Sequence, residues 1–390
     1  MPVSIPRLAP DGRASSSARR YGILGTFPPT ECGIATFTAA LAGGLEENGA
    51  EVGIVRVGGP DRSADTRVIE RLEPRSSTST RRAARALDSH DVAIVQHEYG
   101  LYGGTDGDEV VGLIDALHVP AIVVAHTVLL HPSPHQREVL EAVAAAASAV
   151  VVMTDAGRDR LCTTYDVDPG KVVQIPHGAA IARRSEPSVR LTRPTILTWG
   201  LLGEGKGIEW AIDAMRLLQD IRPRPQYVIA GETHPKVLAR EGERYREMLV
   251  RRTWEQGVAP VVTFDRGYRD LPALSTLIDK ATVVLLPYDS KDQVTSGVLV
   301  DAVAAGRPVV STAFPHAIEL LASGAGIVVP QRDPAAIAEA LRRVLTEDGL
   351  AAAMAAEAAK LAPELGWGAV AGRYHALADP LVGAYAEVPA

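Results

Sequence analysis

The chain has little of several things, and each shortage excludes a class of protein. It has two cysteines in 390 residues, Cys32 and Cys162. That is too few for a disulfide framework, and a reducing cytoplasm is the simplest setting. It has no surplus of positive charge: the formal net charge is −7, which argues against nucleic acid or an anionic membrane as the main partner. No apolar run reaches the ~18–20 residues a membrane span needs. The first twenty residues carry Arg, Ser and Pro but no apolar stretch, so they are expected to form a disordered tail rather than a signal peptide. Aromatic residues are scarce, at 5%. No helix at the N-terminal end combines a basic stripe with an aromatic rim, which favours a soluble binding partner over a lipid, although peripheral membrane association stays open.

What is present is ordinary for a soluble globular protein: 46% hydrophobic and 22% charged residues. The length suggests two domains, each able to bury a core. Short β-branched runs alternate with longer amphipathic segments, the pattern of βα units around parallel sheets. Strands are expected at residues 21–25, 51–57, 92–96, 120–125, 149–153 and 172–175, with helices clearest at 34–48 and 134–147. A polar, proline-bounded stretch at 182–194 reads as a linker. The pattern then restarts, with strands at 195–199, 226–230, 261–264, 282–286, 308–312 and 326–329 and Ala-rich helices near 334–346 and 350–361. The fold class expected is α/β, two doubly wound parallel-sheet domains facing a cleft. They would span 21–181 and 195–362, with residues 363–390 returning to the first domain as a helix.

The densest signal lies at 282–310, which reads as strand, polar loop, helix opening at Ser296, glycine stop at Gly306 and strand. The turn Thr295-Ser296-Gly297 opens a helix just past a strand end. Free N–H groups and the helix dipole make such a turn an anion site, and ligands of open parallel sheets bind at the carboxyl ends of the strands. A second turn, WGLLGEGKGIE from Trp199, holds Gly205, Lys206 and Gly207 before a helix. Glycines admit a phosphate closely and the lysine adds a point charge. The spacing is neither GxxxxGK[ST] nor GxGxxG, and alone it is also what a plain βα turn with a solvated lysine looks like.

Together the two turns resemble the donor site of the GT-B fold, family-4 retaining glycosyltransferases (glycosyl transferases group 1). The resemblance covers nearly the whole chain: a glycine loop before a long helix around Gly33, a histidine at a strand end (VVAHT, His126), IPHGA between the domains, the KG turn, the acidic helix at Asp301 and a final Trp-containing helix. It implies a nucleotide-diphosphate sugar on the C-terminal domain and an acceptor on the N-terminal one. Lys206 would contact the diphosphate, and Gln293 and Asp301 would stand where the family has two Glu residues separated by seven positions. His126 would hold the transferred sugar, Gly267 and Tyr268 would lie near the base, and Glu319 would close the sugar or ribose pocket. From their places at strand ends, Glu232 would line the cleft on the donor side, and His97 and Glu98 would orient the acceptor or the donor sugar, with Tyr99 on the acceptor side. The sequence departs from the pattern at Leu201 (usually Arg), at Gln293 and Asp301 (usually Glu), at Cys32 (usually Gly) and at PHAIE, 315–319, in place of Gly-Gly-x-x-Glu.

The function implied is a cytoplasmic hexosyltransferase working with retention by a front-face route. It would use no cofactor and no metal beyond the nucleotide-sugar co-substrate. GDP-mannose is the first donor expected and a UDP-hexose such as UDP-glucose the next; the acceptor would be a saccharide or small-molecule hydroxyl. Two alternatives share the fold: a nucleotide-sugar epimerase or hydrolase, and a non-catalytic nucleotide-sugar-binding subunit. Asp106-Gly107-Asp108 looks like the metal motif of another glycosyltransferase fold but falls in a surface loop, and Pro132 and Pro134 break any helical zinc face through His126, His131 and His135. The charged stretch 240–252 is expected to be a solvated helix face.

Overall fold

The computed structural model describes residues 18–59, 65–181, 193–267, 269, 271–290 and 293–386. Residues 1–17 of the expected tail and Tyr268 lie outside these residues, as does most of the expected linker. The end of the expected tail is corrected, since Arg20 already opens a strand.

The first half of the chain builds β1 (Arg20–Gly25), α1 (Gly33–Glu47), β2 (Glu51–Val57), β3 (Val68–Leu72) and α2 (Ser77–Asp88). It continues with β4 (Val92–His97), α3 (Glu109–Asp115), β5 (Ala121–Ala125) and α4 (Pro134–Ala146). β6 (Ala149–Val152), α5 (Asp155–Thr164) and β7 (Val172–Gln174) complete it. Its strands form one parallel seven-stranded sheet in the order β3-β2-β1-β4-β5-β6-β7. β4 and β5 are buried along their whole length, which is why they read as continuous apolar runs rather than alternating ones.

The second half begins with β8 (Thr195–Trp199), α6 (Ile208–Arg216), β9 (Gln226–Ala230), α7 (Pro235–Glu241) and α8 (Arg244–Glu255). Then come β10 (Val262–Asp265), α9 (Leu271–Asp279), β11 (Val283–Leu286), α10 (Gly297–Ala304), β12 (Val309–Thr312) and α11 (Pro315–Leu320). β13 (Gly326–Val329), α12 (Pro334–Thr346), α13 (Leu350–Leu365) and α14 (Trp367–Ala386) close the chain. The second sheet is six-stranded, ordered β10-β9-β8-β11-β12-β13. Both halves are therefore doubly wound α/β units, the class the alternation of runs implies.

The strand order reverses between β1 and β4 in one sheet and between β8 and β11 in the other. At each reversal the two departing helices pack on opposite faces, leaving a crevice at the strand ends. In the second sheet, Ile208, Ala211 and Ile212 of α6 pack in one apolar layer and Leu299, Val300 and Val303 of α10 in the other. α14 leaves the second unit and lies on α1, where Val370, Ala371 and Tyr374 share a core with Phe37, Leu41 and Leu45. The returning chain is pinned where Ala179 N–H donates to Leu365 C=O at 2.7 Å.

The charged stretch near 240–252 differs from expectation. It is split between α7 and α8, and Arg246 is buried rather than solvated. Its guanidinium donates to the Gly231 carbonyl at 2.7 Å and to Glu243 at 3.3 Å, so it braces the loop leaving β9. Only Arg251–Glu255 and similar outer pairs behave as a solvated face.

That loop depends on glycine. Gly231 has φ +131°, and a Cβ there would sit 2.1 Å from the Gly200 carbonyl oxygen. Gly58 also has positive φ, +62°, but faces open space. Gly231→Ala is expected to lose more stability than Gly58→Ala, whose strain alone is about 1–3 kcal/mol. Urea denaturation of both variants checks this; equal losses would show that the backbone contact between Gly200 and Gly231 relaxes freely.

Candidate active site

The site assembles at the two strand reversals. On the C-terminal side, the turn from β8 into α6 uses Gly200, Gly205 and Gly207 at φ of +120°, +85° and +61°, values open mainly to glycine. A Cβ on Gly207 would lie 1.9 Å from the Pro287 carbonyl oxygen, so the turn closes directly onto the chain leaving β11. Lys206 stands on this turn with its ammonium 4.2 Å from the centroid of the Tyr288 ring. The ring face holds the cation without neutralising it, and Lys206 forms no ion pair among the described residues. His234, which caps α7, lies close enough that the Lys236 and Lys206 ammonium groups add to burial in lowering its pKa.

The neighbouring turn, from β11 into α10, is capped by Ser296, whose hydroxyl accepts the Leu299 N–H at 3.3 Å. The expectation of a free Ser296 N–H is corrected here: it donates to His316 Nδ1 at 2.9 Å. The next two N–H groups, of Gly297 and Val298, have no intrahelical acceptor. The Gln293 amide donates to the Thr295 carbonyl, which stiffens the loop. Asp301, one turn into α10, is part-buried with no hydrogen-bond partner among the described residues, and burial pushes its carboxyl up to about 7.

On the N-terminal side, Gly33 begins α1 and a side chain there would meet nothing within 4 Å. Cys32 caps that helix through its sulfur, which accepts the Ala35 N–H at 3.4 Å. His126 follows β5; its Nε2 lies 2.6 Å from Gln96 Oε1 and its ring meets Phe37 edge-on. Burial, with His177 and His97 nearby, lowers its pKa to about 3, so the ring is neutral at physiological pH. His97 is deeper than its expected acceptor role requires, at 1% exposure, with both ring nitrogens sealed and without a partner among the described residues. Tyr99 stacks edge-on against it. Glu98 accepts from Thr127 Oγ1 at 2.5 Å and from the Tyr99 N–H at 3.1 Å, a fixed carboxylate at the end of β4.

The two sides touch at named points. Thr154 Oγ1 donates to the Val294 carbonyl at 2.9 Å. A Cβ on Gly297 would lie 2.8 Å from His177 Nε2, and one on Gly100 would lie 2.5 Å from Lys236 Nζ. Glu319 does not stand free for a ribose: its oxygens accept the Asp155 and Ala156 N–H groups at 3.1 and 3.2 Å, capping α5 from the other domain. Glu232 is part-buried and its carbonyl accepts the Leu202 N–H at 2.8 Å. Gly267 is open, at φ +117°.

The structure thus brings Lys206, Thr295, Ser296, Gly297 and Asp301 to one reversal and Gly33, His97 and Glu98 to the other. It adds His177 and His316, which no role was assigned from sequence. Their signals were IPHGA at the domain edge and a histidine at 316 where the resemblance has glycine. The two acids of 106–108 bind His135, at 3.1 Å from Asp106 and 3.6 Å from Asp108, and no cluster of three metal-ligating side chains occurs among the described residues. A hollow of about 700 Å³ between β10 and α9 includes Val228, Phe264, Leu277 and Lys280. Its lining runs from Thr195 and Gln226, which begin β8 and β9, to Asp265 and Arg266 at the end of β10, and it includes none of Lys206, Ser296 or Gly297.

Comparison with known proteins agrees with this layout. Residues 193–347 match the family described as glycosyl transferases group 1, and residues 32–183 match glycosyltransferase family 4. D-inositol 3-phosphate glycosyltransferase of Corynebacterium kroppenstedtii is 28% identical over 65% of this chain and 60% of its own length. Alpha-D-kanosaminyltransferase of Streptomyces kanamyceticus is 27% identical over 62% of this chain and 61% of its own. The chain therefore spans about three-fifths of the length of these relatives. HepE of Anabaena, crystallised with UDP and glucose, superposes with a TM-score of 0.72 at 15% identity, covering 93% of this chain and 100% of HepE. The chain belongs to the family-4, group-1 glycosyltransferases and has their GT-B fold.

Proposed function

We propose that the chain transfers a hexose from a nucleotide-diphosphate sugar to an acceptor hydroxyl, retaining the anomeric configuration. The observation that carries this is the pairing of Lys206 with the N-terminus of α10 at the β8/β11 reversal. A leaving diphosphate gains negative charge as the glycosidic bond breaks, and a free ammonium and two helix N–H groups oppose that charge without reorganising.

The carboxylates argue for a front-face route. A two-carboxylate scheme needs a nucleophile beside the anomeric carbon. Glu319 is tied to α5 and Glu98 to Thr127, and position 293 is an amide. The donor's own phosphate then accepts the acceptor's proton. His126, kept neutral with its Nε2–H given to Gln96 Oε1, can accept a hydrogen bond from a sugar hydroxyl at Nδ1 rather than supply a charge, and Asp301 suits the ribose hydroxyls. Charge neutralisation comes from Lys206 and the helix, so the reading calls for no metal, and chelation by EDTA should leave transfer unchanged. The donor expected first is GDP-mannose, with a UDP-hexose next; the UDP and glucose held by HepE make the second a direct comparison.

Lys206→Ala is expected to lower kcat/KM by about 10²–10³, the size seen when one electrostatic stabiliser is lost, with folding unchanged by circular dichroism. Unchanged transfer would remove Lys206 from the site. In a thermal-shift panel of GDP, UDP, ADP and dTDP, one diphosphate at 100 times its Kd should add about 2.7 kcal/mol; no shift with any of them would sink the donor site itself. Asp301 supplies a third expectation. Its folded pKa, about 7, lies above the unfolded value near 3.9, so its protonated form favours folding below about pH 4 and that contribution is lost as pH rises through 7. Asp301→Asn should therefore be more stable than wild type at pH 8, with the gap closing toward pH 4 in urea titrations.

A further inference from the structure

His316 is the second residue of α11 and only 4% exposed. Its Nδ1 lies 2.9 Å from the Ser296 backbone nitrogen. A backbone N–H can only donate, so Nδ1 must carry the lone pair. Burial, with His177 nearby, lowers the pKa of the ring to about 3. A neutral ring holds one proton, which is therefore on Nε2. That N–H has no acceptor among the described residues, and unlike the ring nitrogens of His97 it is not sealed from solvent. The main-chain donor of Ser296 has in effect been exchanged for a side-chain donor set beside the same helix N-terminus.

We propose that His316 is a donor-binding residue, its Nε2–H fixed by the Ser296 N–H so that it hydrogen-bonds an oxygen of the diphosphate held at α10. This rests on the nucleotide-sugar reading of the site and deepens it. A neutral imidazole gives the same donor across the physiological range, whereas Lys206 supplies the charge.

Long-range ¹H–¹⁵N spectra of the histidine rings test the first step in the ligand-free protein. His316 should show the Nε2–H tautomer from pH 5 to 8; an Nδ1–H tautomer or a protonated ring in that range overturns the inference whatever the protein binds. The second step uses calorimetry with GDP, UDP and their sugars. His316→Ala should weaken binding of the preferred diphosphate about ten- to hundredfold, the equivalent of one hydrogen bond to a charged group. His316→Asn can still accept the Ser296 N–H but has no donor at the Nε2 position, so it should fold like wild type and bind as weakly as the alanine variant. Wild-type affinity in His316→Asn would mean a purely structural role. A loss confined to the sugar-bearing nucleotides would place the contact on the sugar and overturn the diphosphate assignment. Failure of wild type to bind any nucleotide would sink the reading of the site and this inference with it.

Discussion

The arrangement depends on one close approach, that of the α10 N-terminus to the N-terminal domain. Gly297 is the residue that permits it, since a Cβ there would fall 2.8 Å from His177. Around this point Thr154 bonds the Val294 carbonyl and Glu319 caps α5. His177 in turn lies edge-on to Phe37 and tilted against Trp367, so the same junction reaches the returning helix α14. A bulkier residue at 297 would press on the His177 ring, so that either the ring or the two reversals would have to shift.

The electrostatics follow from that closeness. Burial lowers His126, His177 and His316 to about 3, 4 and 3. Three protonated rings between the domains would repel one another and add charge in a low-dielectric seam. Kept neutral, they serve as directional donors and acceptors while Lys206 and the helix dipole bring the positive potential. Burial acts in the opposite sense on Asp301, whose carboxyl is raised toward neutrality. The site therefore brings the Lys206 ammonium, unpaired among the described residues, and the helix N–H groups to the place where a diphosphate would gain charge.

Much of the fold was legible because buried parallel strands are continuous β-branched runs, and their ends fell within a residue or two of expectation. β3 and α2 were not. β3 (VIERL) is an edge strand in which only Leu72 is fully buried, and α2 is a Ser-, Thr- and Arg-rich helix held mainly through Ala83, Ala84 and Leu87. In the site, Lys206 and the Ser296 turn were legible because glycine at a strand end has a local cause. Glu319, His177 and His316 were not, because their roles come from contacts between distant segments: Glu319 meets Asp155 and Ala156 across 164 and 163 residues. Arg246 misled for a related reason. A charged helix reads as solvated unless the carbonyl it serves, Gly231, is known to lie beneath it.

Helix α11 joins the two kinds of contact. His316 and Glu319 are three residues apart and so share a side of this short helix. One bonds within its own domain, to the turn that would hold phosphate; the other crosses the cleft to α5. Opening the cleft would break only the second, exposing a carboxylate and two helix N–H groups that water can solvate. The net cost of such charge-assisted bonds is about 1.5–3 kcal/mol each at most, and the Thr154–Val294 bond across the same junction adds to it. The His316–Ser296 bond would survive the motion, so the donor turn keeps its shape whether the domains are apart or together. On the proposed reading, a helix anchored in this way would let the cleft open and close without rebuilding the part of the site that a nucleotide would have to find in place.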